Sequence, residues 1–126
     1  MRRIPAPLVQ PDTSPYWLAA DEGRLLLRHC TACDTHHHYP REICPFCGSS
    51  ATGWRESSGT GCVYSFSTMG QGEAAYTLAH VTLDEGPTVM SNLLGTGPFA
   101  VDQRVRVVFV PSDGGHKVPM FTPDGA

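Results

Sequence analysis

Four cysteines stand in two close pairs, and their side chains are the best suited to chemistry in this chain. Cys30 and Cys33 form one pair and Cys44 and Cys47 the other, each with two intervening residues and with ten residues between the pairs. One tight turn can present two thiolates, so two such turns complete a tetrahedral metal site. Gly48 follows the second pair, where positive φ lets the backbone wrap around the sulfurs. The spacing predicts structural zinc.

Two other uses of these cysteines stay open from the sequence. Two disulfides are one alternative, but no secretory signal stands at the start, and free thiols with a metal site indicate the reducing cytosol. Rubredoxin-type iron is the other, because iron also accepts four thiolates. No neighbouring motif indicates electron transfer. We therefore predict Zn²⁺ as the cofactor, with iron as the alternative, at Cys30, Cys33, Cys44 and Cys47.

The remaining reactive side chains form no catalytic set. Ser65 and Ser67 lie on a predicted strand, without the strand–turn–helix setting of a nucleophilic serine. His80 alternates with apolar residues and His116 lies in a loop beside two glycines, so neither is placed as a base. Cys62 is the fifth cysteine, and we expect it to be a packed core thiol. The sequence predicts a noncatalytic chain.

Size and charge restrict the possible functions. The chain has 126 residues, of which 40% are hydrophobic, and a formal net charge of -3. Its nine basic residues are scattered, which disfavours the basic face that nucleic-acid binding needs. Without such a groove, Tyr64, Phe66 and Tyr76 are predicted to pack rather than to stack on bases. No apolar run approaches the roughly 20 residues of a membrane span.

A short helix is predicted ahead of the cysteines. Asp12 and the two residues after it carry side-chain oxygens that can cap a helix, and Pro15 follows them at the first helical position. This order predicts a helix start, and Gly23 predicts the helix end. Two aromatics on a two-turn helix have little local core to fill, and exposed aromatics mark interfaces. We therefore predict that Tyr16 and Trp17 form a partner interface.

Strands dominate the rest of the chain. Residues 24–28 predict a strand that leads into the first cysteine pair, and the Asp84–Pro87 segment predicts a hairpin turn. Five short strands, predicted at 61–69, 76–84, 88–94, 104–109 and 118–121, suit a closed barrel of the OB type. The predicted fold class is mainly β: an N-terminal arm and short helix (1–23), a rubredoxin-like zinc ribbon (24–56) and a C-terminal five-stranded OB-fold barrel (57–126).

Further residues occur in an order shared with one known family. They are Tyr16, Trp17, Glu22, Gly23, Arg24, Leu25, the two cysteine pairs, Pro40, Arg41, Pro45, Gly48, Ser49, Trp54, Gly59, Thr60, Gly61, Val63, Tyr64, Ser65, Leu83, Asp84, Glu85, Gly86 and Phe121. This ordered set covers most of the chain. It resembles an acyl-CoA-associated family in which a rubredoxin-like zinc ribbon precedes an OB fold.

Two features depart from the family pattern. Asp34 follows Cys33 where the family usually has glycine, and His36, His37 and His38 stand in a row. Aspartate tolerates left-handed backbone better than most residues, so the first cysteine turn should survive. We expect the three histidines in a solvated loop of the ribbon, because four cysteines already fill a tetrahedral site.

The resemblance implies a noncatalytic subunit in a hetero-oligomer with a thiolase-like or lipid-transfer-protein-type acyl-CoA enzyme. The family's partners include acyltransferases, aldolases of steroid side-chain breakdown and hydroxymethylglutaryl-CoA synthase assemblies. A related partnership involves MaoC-type enoyl-CoA hydratases, and the acyl-CoA itself is a further candidate contact. Two other functions stay open from the residues: a single-stranded nucleic-acid binder, which the charge disfavours, and a rubredoxin-like electron carrier, which lacks a redox partner motif.

Overall fold

The computed structural model describes residues 4–11, 13–38, 41–95 and 97–124, with Ala74 by its backbone alone. Asp12 of the predicted helix start and Pro40 of the family motif lie outside the described residues. The mainly β fold class is confirmed, and the bounds of the five predicted barrel strands are within two residues of the observed ones. The elements in chain order are α1 (Ser14–Asp21), β1 (Leu26–Cys30), β2 (Thr35–His37), β3 (Thr52–Glu56), β4 (Thr60–Met69), a 3-10 turn (Gly72–Ala74), β5 (Tyr76–Leu83), β6 (Thr88–Leu93), β7 (Arg104–Pro111) and β8 (Lys117–Pro123).

The described N-cap residue of the helix does not supply the predicted capping oxygen. Thr13 occupies the N-cap position, but its side chain makes no capping bond. Its hydroxyl instead donates to the Gln10 carbonyl at 3.2 Å and accepts from the Gln10 N–H at 3.0 Å, which closes a turn in the arm. Gly23 ends the helix region with φ of 80°, as predicted. Among the described residues, no helix has the length and apolar character needed to cross a membrane.

The cysteine-bearing segment is built on a small antiparallel sheet with the order β2-β1-β3. The predicted strand at 24–28 begins two residues later and continues to Cys30, so the first metal ligand is itself a strand residue. Cys30 pairs with Thr35 on β2 and with Thr52 on β3. The central position of β1 therefore fixes the backbone from which the first cysteine turn starts.

The second sheet is a closed barrel with the order β4-β5-β6-β8-β7, in which β7 also pairs with β4. All neighbours are antiparallel except β6 and β8, which meet in parallel at Leu93 and Phe121. The predicted alternation is confirmed, because Val81 is fully buried whereas His80 is exposed. Arg104 likewise points outward beside the buried Val105.

One hydrophobic core joins the helix, the ribbon and the barrel. Tyr16 from α1 and Leu25 and Leu27 from the start of the ribbon belong to the same buried cluster as the barrel residues Val63 and Phe121. The expectation that Tyr16 lacks a local core to fill is therefore wrong: its side chain is only 6% exposed. Helix and ribbon pack on the barrel and do not stand apart from it.

Candidate functional site

The four paired cysteines converge on one point of the ribbon. Their sulfurs all lie within 4.8 Å of one another, with Cys30 Sγ 3.6 Å from Cys47 Sγ and Cys33 Sγ 3.7 Å from Cys44 Sγ. All five cysteines of the chain are free thiols. A tetrahedral ion with metal–sulfur bonds of about 2.3 Å places its ligands roughly 3.8 Å apart. The arrangement fits a single four-thiolate ion and forms a metal-binding site.

Backbone amides of the second cysteine turn favour the negatively charged thiolate form of Cys44. The Phe46 N–H donates to Cys44 Sγ at 3.4 Å, and Gly48, with φ of 77°, closes the turn by donating to the Cys44 carbonyl. Desolvation opposes ionisation of Cys44, but hydrogen bonds from the Cys47 and Phe46 amides outweigh it and lower its pKa to about 7. The Ser49 amide favours the Cys47 thiolate, yet the neighbouring thiols raise the pKa of Cys47 to about 12. Four thiolates therefore need a cation to coexist.

Asp34 supports the first cysteine turn as predicted. Its φ of 53° lies in the left-handed region, which the usual glycine would also occupy. Its carboxylate oxygen lies 2.8 Å from Nε2 of His29, a side chain that is 5% exposed. The aspartate therefore adds a side-chain bond that glycine lacks, and it holds the imidazole next to Cys30.

The three consecutive histidines do not form the solvated loop that the sequence predicted. His36 and His37 lie on β2, and the His36 ring packs 4.7 Å from the His29 ring. His37 is 4% exposed, with Nε2 3.2 Å from the Arg41 carbonyl. The His38 ring packs 5.8 Å from Tyr16, and burial lowers its pKa to about 4. These contacts explain the error, because pairing with β1 and packing on α1 withdraw the histidines from water.

Arg28 places a nearly buried cation in the ribbon sheet. Its guanidinium donates to Thr52 Oγ1 at 2.6 Å and lies 4.8 Å from the centre of the Trp54 ring. Nε of Arg28 is buried without a hydrogen-bond partner among the described residues. Arg28 and Cys30 share a face of β1 because they are two residues apart on a strand. The positive charge therefore lies on the strand face that carries the first sulfur ligand.

The turn between β5 and β6 anchors the segment that links ribbon and barrel. The Glu85 carboxylate accepts the Ser57 hydroxyl and the Ser58 N–H, both at 2.8 Å. Asp84 accepts two bonds from the Arg104 guanidinium, at 2.7 and 2.9 Å. The Arg104 guanidinium holds the pKa of Asp84 well below its ordinary value. These two carboxylates have a structural role, whereas the sequence predicted a hairpin turn at this segment and its place in an ordered family motif but not these contacts.

Cys62 is not the packed core thiol that the sequence predicted. It is half-buried on the outward side of β4, and its sulfur accepts a bond from Arg104 at 3.4 Å. Gly61 and Val63 are its buried neighbours, so the alternation of β4 turns the Cys62 side chain away from the core. His80 is exposed, with Nδ1 3.1 Å from the Ser65 hydroxyl, so the structure places a serine beside a histidine on the barrel surface.

A contact between helix and barrel was missed from the sequence. His116 Nδ1 lies 2.8 Å from one carboxylate oxygen of Asp21, and the Lys117 N–H donates to the other at 2.8 Å. The bond from the Lys117 N–H lowers the pKa of Asp21, and the contact with the His116 ring lowers it further. Desolvation raises this pKa and offsets part of the effect. The two ends of this contact are 95 residues apart, and no local pattern connects them. It fixes α1 on the hairpin between β7 and β8.

Apolar surface is concentrated outside the two residues that were predicted as a partner interface. Trp17 is half-buried and packs on the core beside Tyr16, with their rings 4.9 Å apart. Leu18 on the same helix is 58% exposed, and Phe46 in the second cysteine turn is 67% exposed. Tyr64 on β4 is 68% exposed, which contradicts its predicted packing role.

Comparison with known proteins covers both parts of the chain. The sequence profile of the ChsH2 rubredoxin-like zinc ribbon domain matches residues 17–53, and that of the ChsH2 C-terminal OB-fold domain matches residues 54–110. A solved structure described as the Ltp2-ChsH2 (DUF35) aldolase contains a chain that is 32% identical, with a TM-score of 0.82. The match covers 94% of this chain and 98% of that one.

Two further proteins extend the comparison. A curated protein from Thermomonospora curvata, named a probable enoyl-CoA hydratase alpha subunit, is 33% identical over 94% of this chain. The chain spans 40% of that relative's length. A DUF35-family structure of unknown function from Sulfolobus solfataricus is 11% identical with a TM-score of 0.69, which supports the fold alone. The chain belongs to the ChsH2 family, in which a rubredoxin-like zinc ribbon is followed by an OB-fold domain.

Proposed function

We propose that this chain is a noncatalytic accessory subunit of a thiolase-like acyl-CoA enzyme, an acyltransferase or a retro-aldolase that acts on a lipid or steroid side chain. The observation that carries the proposal is the similarity, over nearly the whole length of both chains, to the ChsH2 component of an aldolase named together with Ltp2. The residue arrangement agrees with a supporting role. The cysteines are positioned to hold a metal, and Asp84 and Glu85 are used in structural contacts.

Zinc is the metal we propose for the four-cysteine site. The closed set of four sulfurs leaves no position for water or substrate, which is typical of a structural ion. The ion would be held by the thiolates of Cys30, Cys33, Cys44 and Cys47, whose negative charges would balance its positive charge. The bound ion would fix the two cysteine turns, and with them the exposed Phe46. A rigid surface loses little conformational entropy when it docks.

We propose that the partner-binding surface lies on the arm, the helix and the ribbon. This is the part of the chain in which Tyr16 and Trp17 were predicted to form a partner interface. Tyr16 is buried, so its part in docking is to hold the helix in position. Exposed apolar side chains of this part are suited to direct contact, among them Leu8, Leu18, Ile43 and Phe46, at 78%, 58%, 52% and 67% exposure. The barrel would then face the side of the partner that binds acyl-CoA. A direct contact between the barrel and acyl-CoA is therefore part of the proposal.

Matched surface variants test this placement. The chain is co-produced with a thiolase-like protein of the Ltp2 type, and the complex is measured by size-exclusion chromatography with light scattering. Leu18→Ser and Phe46→Ser should each weaken the complex about tenfold, as loss of an interface anchor does. Val101→Ser and Tyr64→Ser are controls on the barrel, because these residues have matching exposures of 58% and 68%. Equal effects of the ribbon and barrel variants would contradict the placement.

The absence of catalysis is tested separately. The isolated chain should turn over no acyl-CoA by thiolysis, hydration or aldol cleavage, whereas the complex with its partner should be active. The serine–histidine contact on the barrel gives a specific check, because Ser65→Ala and His80→Ala should leave the activity of the complex unchanged. Turnover by the isolated chain that either substitution abolishes would refute the noncatalytic role.

A second candidate is a partnership with a MaoC-type enoyl-CoA hydratase. The observation that favours it is the similarity to part of a protein named as a hydratase subunit. The chain is co-produced with a hydratase, with the thiolase-like protein, and with both together. Comparing these three preparations distinguishes the two candidate functions. A stable complex with the hydratase alone would favour the second candidate over the first.

A further inference from the structure

The segment that enters the second cysteine turn has no regular secondary structure. Residues 41–43 lie between β2 and β3, outside the helices and strands. Their backbone carbonyls are not paired in a strand ladder and need other donors. Nε2 of His37 lies 3.2 Å from the Arg41 carbonyl, and the Thr52 hydroxyl donates to the Glu42 carbonyl at 2.5 Å. Side chains of β2 and β3 therefore hold two of the carbonyls that precede Cys44.

Arg28 fixes the direction of the hydrogen bond at Thr52. Its guanidinium donates to Thr52 Oγ1 at 2.6 Å, and a guanidinium has no acceptor atom. The Thr52 oxygen is therefore the acceptor in that contact, and its one proton is left for the Glu42 carbonyl. Because the first donor carries a positive charge, it strengthens its own bond and polarises the next one in the same direction. We call this chain of two bonds, from Arg28 through Thr52 to the Glu42 carbonyl, the relay.

The relay lies beside the first sulfur ligand. Thr52 is the cross-strand partner of Cys30, and paired residues of an antiparallel sheet have their side chains on the same face. Arg28 shares that face, is 9% exposed and lies 4.8 Å from the centre of the Trp54 ring. Burial against the ring limits the movement of the guanidinium, so the relay starts from a fixed point. One face of the ribbon sheet thus carries a metal ligand and the group that holds the segment leading to Cys44.

The other side of the second cysteine turn is held by separate bonds. Thr31, in the first cysteine turn, donates from its N–H and its hydroxyl to the Ala51 carbonyl, at 2.9 and 3.1 Å. The Cys44 N–H donates to the Ser49 carbonyl at 2.9 Å and closes the turn on itself. These bonds fix the exit and the internal shape of the turn. They do not fix the segment before Cys44, which the relay holds.

We propose that Arg28 and Thr52 are positioning residues of the metal site. Arg28 acts through the Thr52 hydroxyl on the Glu42 carbonyl, and the relay keeps the Cys44 sulfur in reach of the other three. Four sulfurs complete the coordination of the ion, so neither positioning residue is a ligand. Outer partners of metal ligands typically contribute about 10–100-fold to metal affinity. The inference rests on the proposed metal, but it does not depend on the partner enzyme.

Release of zinc from the loaded chain to an excess of the chelator pyridylazoresorcinol, followed by absorbance, tests the role of the hydroxyl. Thr52→Val removes the hydroxyl with little change of shape and should raise the release rate about tenfold. Thr52→Ser keeps a hydroxyl and should restore the rate of the parent chain. Thr82→Val is the control, because it removes a hydroxyl that is bonded to Thr88 at 2.9 Å on the barrel, and it should not change the rate. Equal rates for Thr52→Val and Thr82→Val would overturn the proposal.

A double-mutant cycle tests whether Arg28 acts through Thr52. Arg28→Met keeps a long side chain but removes the donor, and it should also raise the release rate. Added to Thr52→Val, it should change the rate less than about twofold, because both substitutions break the same relay. Effects that multiply fully in the double variant would show that Arg28 acts independently of Thr52, for example through its charge, and would refute the relay.

Two checks separate this inference from the others. The thermal midpoint of each metal-loaded variant shows whether it is folded, and Arg28→Met keeps the test decisive if Thr52→Val does not fold. A parent chain that holds no metal would refute the proposed zinc and the relay together. A metal-loaded parent chain whose release rate matches that of Thr52→Val would refute the relay alone.

Discussion

Gly61 is the residue at which one added methyl group should have the largest effect on the barrel. It lies on β4 opposite Leu83 on β5, and a Cβ there would be 2.3 Å from the Thr82 carbonyl oxygen and 3.0 Å from the Leu83 Cα. Both obstacles are backbone atoms, which cannot rotate away as a side chain can. We therefore predict that Gly61→Ala forces β4 and β5 apart.

The size of the effect follows from these distances. Ordinary contact begins at 3.4 Å, so the strands must separate locally by about 1 Å. A shift of this size breaks a neighbouring bond such as that from the Asp84 N–H to the Thr60 carbonyl, which is 3.0 Å long. Overpacking costs about 1–3 kcal/mol and each lost bond about 1 kcal/mol. We expect a loss of about 2–4 kcal/mol, a large part of the roughly 5–15 kcal/mol that stabilises a domain.

Gly53→Ala is the matched control for this prediction. Gly53 is also a strand glycine without positive φ, but nothing lies within 4 Å of an added Cβ. Relief of glycine's entropy cost should leave this variant as stable as the parent or more stable by up to about 1 kcal/mol. Urea unfolding followed by far-UV circular dichroism measures both variants. If Gly61→Ala unfolds at the same midpoint as Gly53→Ala, the close approach of β4 and β5 is not a constraint and the reasoning is wrong.

Three further predictions concern the metal, acid stability and nucleic acid. Elemental analysis should find about one zinc per chain, and Cys44→Ser should lose the metal and destabilise the ribbon, because binding and folding are linked there. The pKa values of Asp84 and Glu85 are lowered from ordinary values of 3.8 and 4.5, so the stability they contribute is present above these values and is lost as the pH falls. Asp84→Asn with Glu85→Gln should therefore reduce the loss of stability below about pH 4.5, measured by thermal melts between about pH 3 and 7; an unchanged pH dependence would contradict this. Titration with single-stranded DNA should show a dissociation constant no tighter than about 10⁻⁴ M at physiological salt, because the net charge is -3.

Local patterns were sufficient to predict the elements and the four-cysteine cluster. The spacing of the cysteines brings two turns to one ion whatever surrounds them, and the period-2 alternation on β5 identifies its buried face. Gly23 and Asp34 adopt positive φ as their positions in the sequence predict. These features depend on residues that are close together in the chain, so they can be predicted without the tertiary structure.

The tertiary structure decided which side chains are exposed and which groups meet across the fold. Tyr16 is buried because β1 and the barrel complete a core beside the helix, and His37 is buried because β2 pairs with β1. The contact of Asp21 with His116 joins residues 95 apart. Burial and long-range contacts depend on packing of distant segments, which residue types and spacing along the chain do not specify.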